Sequence, residues 1–324
     1  MRPIAVAVTT VLIASPVLAE VGPAQPHEFI EAFQGLFGEH KGVRKGHAKG
    51  VCAVGEFTAS SEAASAFDAT LFSGRTLPAQ VRFSMAGGNP EVADFVRSPR
   101  GLAAQFTLPD GSLHNIATLS TPVFGARNPE SFLGLLRASL PGADGKTDTA
   151  KLEAFRRAHP DTRPQAEWLA ANPPPWSYAT ARYFGLHTFY LTGRGGAPVK
   201  IRWHLQPRDG VKGLTDEEMS RRQSDFLEQR LKERLAQGPL RFDWIVALGT
   251  AEDSDDDPSV SWPEERRTIR AGTLSITGVG GDGCGNLNFD PNVLSEGFAA
   301  SQDPILRMRS PAYAISFGKR LSGQ

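Results

Sequence analysis

Only two cysteines occur in the chain, Cys52 and Cys284, and they form no Cys-x-x-Cys pair. A zinc ribbon and a thioredoxin-type redox site are therefore excluded. In an oxidising compartment the two could bridge, but two buried free thiols fit the sequence equally well. An excess of charge is also missing, since 35 Lys plus Arg offset 35 Asp plus Glu. Nothing draws such a chain to nucleic acid or to an anionic membrane surface. No internal repeat is visible. The apolar run from Ile4 to Val17 is too short to span a membrane. With Arg2 ahead of it and Val17-Leu18-Ala19 behind, it predicts a signal peptide over residues 1–19. Cleavage before Glu20 and export to a bacterial periplasm follow, with an uncleaved anchor as the alternative. Apolar residues at 40% and charged residues at 22% describe a globular chain rather than a disordered one.

Periodicity organises the remainder. A polar, proline-containing lead covers residues 20–26, and 27–38 reads as an amphipathic helix with Phe29, Ile30, Phe33, Leu36 and Phe37 on one side. Strand patterns fall at about 51–59, 79–85, 101–108 and 113–118, the last two joined by an Asp110-Gly111 turn. Helical material follows, from Pro129 to Leu140 and from Lys151 to His159, ending at Pro173-Pro174-Pro175. Strands resume at about 186–192, 198–205, 242–250 and 273–279. Between them, Thr215 to Gln237 reads as one long charged helix capped by Thr215. Glu252 to Asp257 reads as an acidic surface loop, and Asp303-Pro304 opens a last helix. Eight strands joined by turns and helical insertions predict an α+β protein built on a closed antiparallel β-barrel.

Four segments carry chemistry. In Arg44-Lys45-Gly46-His47, a guanidinium precedes an imidazole at the mouth of a strand. A lone histidine there is more often structural than catalytic. In Val81-Arg82-Phe83-Ser84, alternation puts Arg82 and Ser84 on one strand face. Alone, Arg82 would be a solvated edge charge. Phe124 and Phe132 flank and enter a helix, where aromatics usually belong to a core. In Arg309-Ser310-Pro311-Ala312-Tyr313, the helical spacing lets Arg309 reach the Tyr313 oxygen, and a guanidinium beside a phenol favours phenolate. Pro311 removes a helical hydrogen bond within that segment and should kink it.

Together, in order and with their local spacing, His47, Arg82, Ser84, Arg309 and Tyr313 resemble the haem catalase family, and specifically its short members, the catalase-related peroxidases. Gly185-Leu186-His187-Thr188-Phe189, Val199-Lys200, Asp209-Gly210 and Phe289-Asp290-Pro291 extend the resemblance over about residues 30–320. It implies a single catalase-like domain over 20–324 that binds haem b, with the iron ligand on the C-terminal helix. Tyr313 would be the axial iron ligand and Arg309 its partner. His47 would be the distal acid–base, held by Ser84. Arg44 and Arg82 would meet the propionates, Phe132 would lie over a haem face, and Phe124 would line the pocket.

The chain departs from that pattern at Leu119, where full catalases carry a distal asparagine that positions peroxide. Leucine donates no hydrogen bond. The implied activity is therefore a haem peroxidase (EC 1.11.1.-) that reduces hydrogen peroxide or organic peroxides with a small organic donor and dismutates peroxide poorly. Counting back from Gly210, His204 resembles the histidine that supports the proximal arginine. Ile315-Ser316-Phe317 replaces a polar stretch usual after the proximal tyrosine. Without the arms that interlock full catalases, a monomer or dimer is expected. The competing readings are a lipid-hydroperoxide isomerase of the same fold, a non-enzymatic haem-binding protein, and a plain lipocalin-like barrel. The last leaves Tyr313 and Arg309 unexplained.

Overall fold

A computed structural model describes residues 23–324. The expected signal peptide and its cleavage point lie outside the described residues. Eight antiparallel strands alternate side chains between two faces, and the twist of the sheet lets it close on itself. They are β1 (Gly50–Ala59), β2 (Thr76–Met85), β3 (Arg100–Thr107), β4 (Leu113–Leu119), β5 (Tyr183–Thr192), β6 (Pro198–Pro207), β7 (Leu240–Leu248) and β8 (Thr268–Val279). Their order around the sheet is β4-β3-β2-β1-β8-β7-β6-β5, and a β4–β5 pairing at Leu119 and Phe184 completes the barrel. A short strand that the sequence did not signal, β9 (Phe298–Ala300), adds to β5.

Inward residues fill the barrel. Phe57 packs against Phe106 and Trp244 with ring centroids 5.5 and 5.3 Å apart, and Trp203 lies 4.9 Å from Trp244. All four are buried. Cutting any of these aromatics to alanine would cost about 3–5 kcal/mol through lost burial and the cavity left behind. A lumen filled by these buried aromatics argues against the lipocalin-like reading. The Asp110-Gly111 turn forms as expected, with Gly111 at φ 83° and the Asp110 carboxylate accepting from the Ser112 N–H at 2.9 Å.

Helices wrap the outside. They are α1 (Pro26–Phe37), α2 (Ser61–Ala66), α3 (Pro129–Ala138), α4 (Thr149–Ala158), α5 (Pro164–Ala171), α6 (Asp216–Ser220), α7 (Leu227–Leu235) and α8 (Pro304–Leu321). Phe29 and Ile30 of α1 are buried, and α1 packs on α3 and α8. Two expectations change. The long helix from Thr215 to Gln237 is two helices, broken where Arg222 takes φ 47°. The second restarts because the buried Asp94 carboxylate accepts from the Phe226 and Leu227 N–H groups, each at 2.8 Å. The acidic loop is not purely superficial either. Asp253 is buried and pairs with Arg266 at 2.8 Å, and the Pro258 carbonyl accepts from the Phe124 N–H at 2.9 Å.

Candidate functional site

Barrel alternation sends Val81, Phe83 and Met85 inward and turns Arg82 and Ser84 to the outer face of β2. There they meet the turn before β1. His47 sits in that turn at φ 56°, a conformation uncommon for a side-chain-bearing residue and held here at a cost of about 1–3 kcal/mol. Arg82 offsets it by donating to the His47 and Ala48 carbonyls at 2.8 and 3.0 Å. His47 Nδ1 and Ser84 Oγ lie 2.9 Å apart. Gly101, opposite Ser84 in the β2–β3 ladder, leaves the room for this pair. A Cβ there would lie 2.8 Å from Ser84 Oγ and 2.9 Å from His47 Nδ1. Burial, then the charges of Arg82, Arg309 and Arg44, push the imidazole down to about 3. It is a neutral base at any physiological pH.

Among the described residues Arg44 has no carboxylate partner. Its Nη2 donates to the Cys284 and Leu287 carbonyls at 3.0 and 2.9 Å. Burial, with Arg82 and Arg320 nearby, lowers it to about 9, so it stays charged at neutral pH. Arg320 donates to the same Leu287 carbonyl at 3.1 Å, and its Nε is buried without a partner. The Cys284 that supplies a carbonyl to Arg44 is bridged to Cys52, with Cα atoms 5.4 Å apart. The open question about the cysteines is thus closed as a disulfide.

The opposite wall is α8. Asp303 caps it through Oδ1, accepting from the Ile305 and Leu306 N–H groups at 2.8 and 3.2 Å. Arg309 Nη2 donates to the Tyr313 oxygen at 2.5 Å. The helix runs unbroken through Pro311. Asn292 donates to the Leu306 carbonyl and Ser310 Oγ, both at 2.8 Å, and Ser310 donates to Asp290 at 3.0 Å, pinning the proline turn. His204 does not reach this wall. It lies beside Phe184 on the outer face of β6, whereas its neighbours Trp203 and Leu205 point into the barrel. The histidine on this side is His187, buried, with Nδ1 2.6 Å from the Asp303 carboxylate and the Arg309 charge close enough to act on it. An irregularity between Gly185 and Phe189 shifts the β5–β6 register in the stretch that carries His187.

A cavity of about 740 Å³ separates the two walls. Eight residues singled out in the sequence line it, Arg44, His47, Arg82, Ser84, Phe124, Phe132, Arg309 and Tyr313, while His204 does not. Leu119 lines it too, opposite Gly101 in the β3–β4 ladder. The hydroxyls beside Leu119 are engaged elsewhere. Thr118 donates to the Leu102 carbonyl at 2.6 Å, and Ser120 accepts from the Arg100 N–H at 2.9 Å. Phe132 packs on Phe124 and on Phe29 of α1, with centroids 4.8 and 5.8 Å apart. Arg320 escaped the sequence reading, and His187, though within a segment that carries the resemblance, was given no role there. Arg320 lies two helical turns beyond Tyr313, on one face with it, which was a usable signal.

The chemistry of the donors fits a flat apolar cofactor with carboxylate arms. Phenylalanine and leucine walls suit its faces, and three guanidiniums without carboxylate partners among the described residues, one with a buried unsatisfied N–H, suit its anions. The Tyr313 phenol suits its metal.

A family model described as catalase matches residues 22–324. A catalase-related peroxidase of Synechococcus elongatus is 42% identical over 320 residues, covering 96% of this chain and 94% of that protein. A catalase-related peroxidase of Mycolicibacterium paratuberculosis is 36% identical, covering 91% and 94%. In fold, the chain is similar to a bacterial catalase at TM-score 0.78 and 24% identity, over 99% of this chain and 68% of the other.

Proposed function

The chain belongs to the catalase family, and from that premise we propose that it is a haem-dependent peroxidase that reduces peroxide at the expense of an organic electron donor. One observation carries the reading: the His47–Ser84 pair and the Arg309–Tyr313 pair line a single cavity. Arg44, Arg82 and Arg320 would hold the carboxylates of haem b, and the Tyr313 oxygen would bind its iron. When bound, the haem supplies a ferric Lewis acid and a store for the two oxidising equivalents that O–O cleavage releases.

The protein's own groups manage the protons. Donating Nδ1–H to Ser84 leaves His47 Nε2 as an acceptor. That nitrogen takes the peroxide proton and returns it to the departing oxygen, which leaves as water. The low pKa of His47 keeps this base uncharged before it acts. Arg309 donates a hydrogen bond to the Tyr313 oxygen and fixes where that oxygen points. Asp303 pairs with His187 behind Arg309 and fixes the start of α8, the helix that carries the phenol.

Leu119 sets the balance of activities. With Thr118 and Ser120 committed to backbone groups, no donor remains at that position to orient a second peroxide. Oxidation of an organic donor then exceeds dismutation. The Cys52–Cys284 bridge supports an oxidising compartment, and with the N-terminal apolar run it favours the periplasm. A monomer or dimer is the expected assembly. The test is haem addition followed by parallel assays of oxygen release and donor oxidation. Donor oxidation should dominate, and a phenolate-type ferric spectrum should vanish in Tyr313→Phe. A spectrum that survives that substitution, or oxygen release without donor oxidation, would sink the proposal.

A further inference from the structure

The segment that receives Arg44 and Arg320 has little intrinsic order. It reads Gly278-Val279-Gly280-Gly281-Asp282-Gly283-Cys284-Gly285, with Gly280 and Gly281 at φ 108° and 72°. So glycine-rich a loop loses much conformational freedom on being fixed. Beyond the end of β8 it forms neither helix nor strand. Gly278 and Val279 pair with Val54 and Ala53 of β1, and the stretch beyond them is tied to Cys52. The Cys52 carbonyl accepts from the Gly280 N–H at 2.8 Å, Cys52 Sγ accepts from the Cys284 N–H at 3.2 Å, and the disulfide joins the two residues.

The bridge touches the guanidinium cluster at three points. Cys284 itself provides a carbonyl to Arg44 at 3.0 Å. Leu287, whose N–H donates to the Cys284 carbonyl at 3.3 Å, provides the carbonyl shared by Arg44 and Arg320. On β1, Cys52 stands directly opposite Arg82 in the β1–β2 ladder. A cross-link placed only to staple the chain would need none of these neighbours.

We propose that the Cys52–Cys284 bridge is a positioning element for the cofactor, holding the acceptors that preorganise Arg44 and Arg320 for its carboxylates, and that reducing the bridge loosens cofactor retention. This rests on the haem reading above. Reduction takes two electrons and two protons from a dithiol. The S–S bond breaks, two thiols form, and the dithiol closes into its own disulfide. The freed loop then samples conformations in which the Cys284 and Leu287 carbonyls no longer face Arg44 and Arg320, and the ordering once done by the cross-link falls on ligand binding.

The experiment follows haem leaving the loaded protein for excess apomyoglobin, read by visible absorbance. It compares wild type, Cys52→Ser/Cys284→Ser, Arg44→Leu, and the triple variant. Transfer should speed up about tenfold or more on losing the bridge. In the Arg44→Leu background the same loss should have a much smaller effect, because the bridge acts through that guanidinium. Circular dichroism melting of the haem-free proteins sets a temperature at which all are folded. Should the cysteine variants not fold, dithiol reduction of loaded wild type reads the same rate. Equal transfer with and without the bridge overturns the inference and leaves the haem reading intact. So does an effect fully additive with Arg44→Leu, which would make the bridge a general staple. Failure of wild type to take up haem at all removes the premise of both.

Discussion

Gly101→Ala is the sharpest probe of the distal pair. The new methyl would lie 2.8 Å from Ser84 Oγ, 2.9 Å from His47 Nδ1 and 3.0 Å from His47 Cε1. Ordinary van der Waals contact begins near 3.4 Å, so each neighbour must retreat by about half an ångström. Neither can do so cheaply. Ser84 is fixed in the β2–β3 ladder, and His47 is held at positive φ by the two Arg82 hydrogen bonds to its turn. Overpacking of this size costs about 1–3 kcal/mol, a fall in Tm of about 5 °C for a chain of this length. The chemical penalty is larger, since misplacing a proton-transfer group by a fraction of an ångström to an ångström costs about 100-fold. Stopped-flow measurement of peroxide cleavage should show that loss with haem content unchanged. The control is Gly318→Ala on the exposed face of α8, where nothing lies within 4 Å of the added methyl. It should keep the wild-type rate and gain up to about 1 kcal/mol of stability. A Gly101→Ala enzyme that cleaves peroxide at the wild-type rate would refute the placement of His47 as the acting base.

Leu119→Asn restores a donor to the cavity wall, and oxygen release should rise at least tenfold relative to donor oxidation, as read with an oxygen electrode. His47, His114 and His204 are held down to about 3, 3 and 4, chiefly by burial. The unfolded chain binds protons at these sites below about pH 6.5 while the folded chain does not, so stability falls as pH drops from there toward 4. The slope is about 1.4 kcal/mol per pH unit for each histidine, measurable as urea midpoints across pH. A flat profile over that window would contradict their burial in the neutral form. Asp94→Ala removes both the partner of Lys49 at 2.8 Å and the cap of α7, and should destabilise by about 3 kcal/mol in denaturant titration without changing the haem spectrum.

What could be read from the sequence was local. Arg82 and Ser84 share a face by strand alternation, and Arg309 reaches Tyr313 by helical spacing, so short windows sufficed for both. The eight barrel strands were likewise visible as alternating runs between turns. What escaped depended on distant partners. The break between α6 and α7 is stabilised by Asp94, which lies 132 residues from Phe226 in sequence. Asp253 is drawn inward by Arg266 and by Lys200, which donates to its carbonyl at 2.8 Å. His204 was chosen by counting back from Gly210, whereas the histidine behind Arg309 is His187, paired with Asp303 116 residues away in sequence, a partner no local count reveals. The three residues of β9 are too few to carry a pattern.

The two walls of the cavity come from opposite ends of the described chain. The Lys45 N–H donates to Ser316 Oγ across 271 residues of sequence, and β1, which follows the histidine wall, pairs with β8, which precedes the tyrosine wall. Contacts this non-local form late, once most of the loop-closure entropy has been overcome. The histidine wall is therefore made early in synthesis and the tyrosine wall near its end, with the whole barrel between them. A nascent or half-folded chain has no place to hold a haem between a base and an axial ligand. Oxidising chemistry is thus withheld until the protein around it is finished, and topology protects the immature chain from its own reaction.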